Sequence, residues 1–147
     1  MTTDVSSGLR AVLDTNVFVS IFTSSSERPM AQLWAAAVRQ RYTLVISPAI
    51  IREVAGILQH KFAWADPEVV RLIKVLARVG ELVTPQITLD VIGADPDDNR
   101  ILECAVAGHA NVIVFGDREL RRLGVYDGIP IVVPRDFMRM LGLPEVP

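Results

Sequence analysis

The sequence predicts an α/β fold built on a central, mainly parallel sheet with helices on both faces. Three observations carry this prediction. Half of the 147 residues are hydrophobic, enough for a well-buried core in one domain. Short runs rich in Val, Ile and Leu recur along the chain without the polar alternation of a strand that has one wet face. Between those runs the apolar residues take helical spacing, and strands that alternate with helices form parallel sheets.

The first strand is RAVL at 10–13, inside GLRAVLDTNVFVS, where Asp14, Thr15 and Asn16 stand between two apolar stretches. A helical pattern over 29–41 leads to the second strand, TLVI at 43–46. Helical patterns over 48–61 and 66–79 precede ELV at 81–83, and another over 97–109 precedes NVIVF at 111–115. A helix over 117–123, the strand PIVV at 130–133 and a last helix over 135–142 complete the set. No repeat, low-complexity tract or long linker divides the chain. One domain over 1–147, with its core at about 10–142, is therefore expected.

Composition narrows the function classes. The net charge is −2, from 15 basic and 17 acidic residues, so no global positive field marks the chain for nucleic acid. The basic residues are unevenly chosen: lysine occurs only at 61 and 74, and arginine supplies the rest. Arginine suits phosphate because its planar fork donates two hydrogen bonds at once. A lone cysteine, Cys104, cannot form an internal disulfide, and His60 and His109 are too few to complete a zinc cluster with it. In ILECAVA it reads as a core residue. The polar, acidic start MTTDVSSG and the lack of an apolar stretch near the ~20 residues of a membrane span lead us to expect a cytoplasmic protein that does not enter the membrane.

Four acids stand out against this background. Parallel sheets bind ligands beyond the carboxyl ends of their strands, and Asp14 and Asp117 each follow a strand there. Each alone reads more readily as a helix N-cap, worth ~1 kcal/mol, than as a catalyst; two at equivalent strand ends of one small sheet can converge. In ADPDDNRILECAVAGHA, Asp95 with Pro96 reads as a cap followed by proline at the first helical position, and Asp97 as an acid favoured by the helix dipole. Asp98 differs, because at ~100° per residue it shares a face with Leu102, Ala105 and His109. A carboxylate on an inward face is costly unless donors, a cation or a metal compensates it. Glu53, in SPAIIREVAGILQHKF, lies at the margin of the apolar face of its helix, whereas Arg52 points away. Glu103 and Glu119 read best as solvent-exposed helix positions, with a place nearer the acids as the alternative.

In order along the chain, Asp14 in LDTNVF, Glu53 in SPAIIREV, Asp98 in DDNRILECA and Asp117 in VFGDREL resemble the four acidic motifs of the PIN-domain nucleases. The resemblance runs from about residue 10 to about 140. DPDDNRILECAVAGHANVIVFGDREL is especially similar to the branch of toxin components of toxin–antitoxin systems, related to the VapC-like ribonucleases. It implies a three-layer α/β/α PIN-like fold and a metal-dependent ribonuclease that hydrolyses RNA phosphodiester bonds. It also implies a homodimer and a protein antitoxin as partner. One departure stands out: many members carry Thr or Ser two residues before the last Asp, where this chain has Phe115.

The implied site agrees with the chemistry of clustered carboxylates, which repel one another unless a divalent cation is bound. Mg²⁺ and Mn²⁺ prefer oxygen ligands. Asp14 and Asp98 are expected as direct ligands, with Asp117 completing the site and Glu53 acting through water or orienting it. Asn16 is expected to support Asp14, and Arg52, Arg100 and Arg118 to contact the phosphate backbone.

Other classes fit less well. A haloacid-dehalogenase-like enzyme wants an Asp where Asn16 stands, and a receiver domain wants a lysine late in the sheet that neither Lys61 nor Lys74 provides. No G-x-S-x-G elbow supports a serine hydrolase. The remaining alternative is a non-catalytic module that uses the same pocket for metal-dependent binding of RNA or protein. Trp34, Trp64, Phe62 and the loop FTSSSERPM are candidate surface elements, with burial in the core the competing role for the tryptophans.

Overall fold

The computed structural model describes residues 8–23, 28–90, 96–116 and 124–143. Its sheet has six strands: β1 (Arg10–Leu13), β2 (Thr43–Ile46), β3 (Glu81–Leu82), β4 (Val112–Val114), β5 (Val125–Tyr126) and β6 (Ile129–Val132). They lie in the order β3-β2-β1-β4-β6-β5. All pairings are parallel except β5 with β6. The helices are α1 (Thr15–Thr23), α2 (Arg28–Val38), α3 (Pro48–Phe62), α4 (Asp66–Val79), α5 (Pro96–Ala107) and α6 (Pro134–Met140). Together they form the expected three-layer α/β/α arrangement around a mainly parallel sheet. Among the described residues, no helix is long and apolar enough to cross a membrane.

The central strands are the apolar runs of the sequence. Ala11, Val12 and Leu13 of β1 and Val112, Ile113 and Val114 of β4 are fully buried, as strands covered on both faces require. The bounds of β1 and β2 coincide with RAVL and TLVI.

Two elements exceed the sequence expectation. Residues 15–23 form helix α1, although Val17, Val19 and Ile21 favour strands. The Asp14 carbonyl accepts from the amides of Val17 and Phe18 at 2.9 and 3.2 Å, so the helix starts directly from the strand end, and Val17, Phe18 and Val19 are buried. The second element is the hairpin of β5 and β6. Its two-residue turn is Asp127–Gly128, both at positive φ (53° and 77°), the conformation that Asp-Gly turns supply. The helix expected at 117–123 lies outside the described residues.

Helix α5 packs against β1 and β2, and α3 packs against α1, α4 and α5. The close seating of α5 depends on Gly108 just beyond its end. A Cβ there would stand 2.3 Å from Val45 Cγ1 and 3.1 Å from the Cys104 carbonyl oxygen. Helix α3 starts at Ser47, whose Oγ accepts from the Ile50 amide at 3.3 Å and which precedes Pro48 at the first helical position. At the opposite end of the sheet, Arg10 donates through Nε to the Gly108 carbonyl at 2.9 Å and pairs with Glu81. That pairing holds the Glu81 carboxyl below the usual range.

Candidate active site at the strand ends

The strand order locates a candidate crevice before any side chain is considered. From β1 the chain moves outward through β2 to β3, then returns to the other side of β1 as β4. The direction of winding therefore reverses between β1 and β4, and such a reversal leaves a crevice at the carboxyl ends of the two strands. Asp14 sits at this point. Leu13 is in register with Val114, and the Asp14 amide donates to the Val114 carbonyl at 2.9 Å.

Helices that follow parallel strands begin at the same end of the sheet. Asp98 lies in the first turn of α5 and Glu53 in the second turn of α3. Asp14 is 2% exposed and Asp98 7%. One oxygen of each, Oδ2, is fully buried and accepts no hydrogen bond among the described residues, while both side chains have other interactions. The expected inward face of Asp98 is present, since Ile101, Leu102 and Ala105 are buried. His109 departs from it: the helix ends at Ala107, and His109 is exposed at φ 52°.

Glu53 is half-buried and lines an open cleft of about 370 Å³ together with Ala49, Arg52, Asp97 and Arg100. Two arginines and two carboxylates thus meet between the N-terminal halves of α3 and α5. Arg52 is exposed, and Asp97 is exposed as a first-turn acid should be. Asn16 is exposed on the first turn of α1. Asp117 and Arg118 lie outside the described residues. Among the described residues no three carboxylate, imidazole or thiol groups gather closely enough to hold a metal ion.

Glu103 overturns the expectation of solvent exposure. It is 6% exposed, accepts from the Leu89 amide at 2.7 Å and pairs with Arg100 at 2.9 Å. Asn99, for which the sequence offers no expectation, is also buried at 1%. For Glu103 the signal was available in the run ILECAVA: a helix with apolar residues on more than one face is buried on more than one face, and the polar residue within it follows. Cys104 is a core residue as expected, fully buried. Burial pushes its thiol up to about 12 against the opposing effect of a hydrogen bond with Ser47.

Phe115 is also fully buried, its amide donating to the Val132 carbonyl at 2.8 Å. Trp34 and Trp64 are half-buried against the core, with Trp34 edge-on to Phe22 at 5.0 Å. Phe62 is 47% exposed.

Comparison with known proteins adds to this geometry. The family model for the PIN domain matches residues 10–119. Among solved structures, the chain resembles VapBC2 from Rickettsia felis bound to a DNA fragment from their promoter. That match has a TM-score of 0.58 and 16% identity and covers 84% of this chain and 97% of that one. No curated protein matches the sequence significantly.

Proposed function

Since the chain belongs to the PIN-domain family, a family of nucleases, we propose that it is a metal-dependent endoribonuclease and the toxin of a toxin–antitoxin pair. The observation that carries this reading is the burial of two carboxylates, Asp14 and Asp98, at the end of the sheet where its winding reverses. Buried carboxylates are costly unless a charge compensates them. Their oxygens suit a hard cation such as Mg²⁺ or Mn²⁺. Asp14 and Asp98 would hold the cation, Asp117 would complete its ligands and Glu53 would orient water beside it. Bound there, the cation supplies charge neutralisation and an activated water for phosphodiester hydrolysis.

The chain's own groups do the positioning. Asp14 is fixed by the sheet ladder through its amide, and Asp98 by the first turn of a buried helix. Asn16 supports Asp14 from the start of α1. Arg52 and Arg100, in the cleft beside Glu53, contact phosphates of the RNA strand and offset the acids around them, with Arg118 extending that contact. The likeness to VapBC2 supports a protein antitoxin as partner, and the toxin acts in the cytoplasm as a homodimer.

The test is cleavage of labelled structured and single-stranded RNAs with Mg²⁺, Mn²⁺ or EDTA, comparing wild type with Asp14→Asn and Asp98→Asn. Metal-dependent cutting that falls ~100-fold or more in both variants is expected, since metal assistance is worth several kcal/mol. Wild type that cuts no RNA, or variants that cut equally well, would favour a non-catalytic binding module on the same fold.

A further inference from the structure

Glu103 is a buried carboxylate that the proposed chemistry does not use, and its contacts form a closed set. Its Oε2 accepts from the Leu89 amide at 2.7 Å and is paired with Arg100 Nη2 at 2.9 Å. The same Nη2 donates to the Leu89 carbonyl at 3.1 Å. Both polar backbone groups of Leu89, a residue in no helix or strand, are thus satisfied by two side chains one turn apart on α5. Only 8% of the Glu103 side chain is exposed, against 33% for Arg100. One end of Arg100 is locked in the protein while the residue lines the cleft shared with Glu53 and Arg52.

A free arginine loses substantial rotamer entropy when it grips a phosphate. An arginine already held by a buried carboxylate and a peptide has lost most of it on folding, and preorganisation of this kind raises affinity. The Arg100 Nε is buried, so it is the exposed third of the side chain that faces the cleft and can donate to a phosphate.

We propose that Glu103 is a positioning residue that presets Arg100 as a phosphate contact for the RNA strand in the cleft beside Glu53. The proposal rests on the ribonuclease reading, and its test separates the two. Binding of a fluorescein-labelled single-stranded RNA to the full chain is followed by anisotropy across a salt series, in Ca²⁺ to suppress cutting. Wild type, Arg100→Gln, Glu103→Gln and the double variant are compared, with exchange of the Leu89 amide monitored by NMR.

Arg100→Gln should weaken binding about fivefold, the loss of one hydrogen bond, and reduce the salt slope by about 0.7, the value for one single-strand phosphate. Glu103→Gln should reproduce most of both effects, and the double variant should be no weaker than Arg100→Gln alone. Lost Leu89 protection with unchanged affinity and salt slope in Glu103→Gln would reduce Glu103 to a loop staple and overturn the proposal. An unchanged slope in Arg100→Gln, which leaves Glu103 in place should its own variant misfold, would overturn it too, as would wild type that binds no RNA. Wild type that binds as described yet never cuts in Mg²⁺ or Mn²⁺ would sink the nuclease reading and leave this proposal standing. Cutting by wild type with salt slopes unaltered in the variants would do the reverse.

Discussion

The amide of Asp14 donates to the carbonyl oxygen of Val114 at 2.9 Å, which makes the first acid of the proposed site an extension of the ladder between β1 and β4. Its carboxylate is therefore carried by two fully buried strand segments of the sheet, and sites carried on such elements hold their geometry better than sites on loops. Changes at the carboxylate itself should alter ligand binding without unravelling the strand end.

Metal should stabilise the protein through that carboxylate. At 100 times its dissociation constant, Mn²⁺ adds about 2.7 kcal/mol, which for a chain of this size raises Tm by several degrees. Thermal melts with Mn²⁺ and with EDTA should show this rise in wild type and its loss in Asp14→Asn and Asp98→Asn, both folded in EDTA. An equal rise in the variants would remove the two residues from the metal site.

Gly108→Ala should destabilise by about 1–3 kcal/mol, the usual cost of overpacking, because the new methyl would stand 2.3 Å from Val45 Cγ1. Trimming the obstacle should recover part of the loss, so Val45→Ala should be less harmful in the Gly108→Ala background than alone. Urea unfolding of the four-member cycle measures the coupling, and strict additivity would contradict the close contact.

Phe115→Thr introduces the hydroxyl that many PIN domains carry at this place, yet no gain in activity is expected. The ring is fully buried, and its removal should cost about 3–5 kcal/mol, as for other buried aromatic truncations, with a buried hydroxyl added. Melting temperature and RNA cleavage measured together check this; a stable variant with faster cleavage would refute it.

Alkaline pH should weaken the fold through Cys104. Its thiol is raised from 9.0 to about 12 by burial, so the native state keeps a proton that the unfolded chain has released. The contribution is full below pH 9 and is lost as pH rises toward 12, with a slope of up to about 1.4 kcal/mol per pH unit. Tyr42, also raised by burial, acts in the same direction. Cys104→Ala should flatten the dependence of urea stability on pH above 9, and an unchanged slope would exclude the thiol as its source.

Much of the scaffold was legible because its strands are buried on both sides. RAVL and TLVI have no polar interruption, and their bounds coincide with β1 and β2. Helix α1 was hidden because Val17, Val19 and Ile21 carry strand propensity, which the backbone bonds to the Asp14 carbonyl and burial of the helix outweigh. The inward face of Asp98 followed from helical spacing alone. Glu103 did not, because a wheel drawn for one buried face puts it in water, whereas α5 is enclosed on several sides. The pairing of Arg100 with the Leu89 peptide lies 11 residues apart in sequence and leaves no mark in local periodicity.

The outermost strands of the sheet, β3 and β5, are each two residues long. An incoming chain that sought to extend the sheet would find hardly one repeat of backbone donors and acceptors to pair with. Short edges of this kind are one way a sheet avoids pairing with other chains, so the surface left for recognition is one of side chains, which can change residue by residue without disturbing the strands beneath.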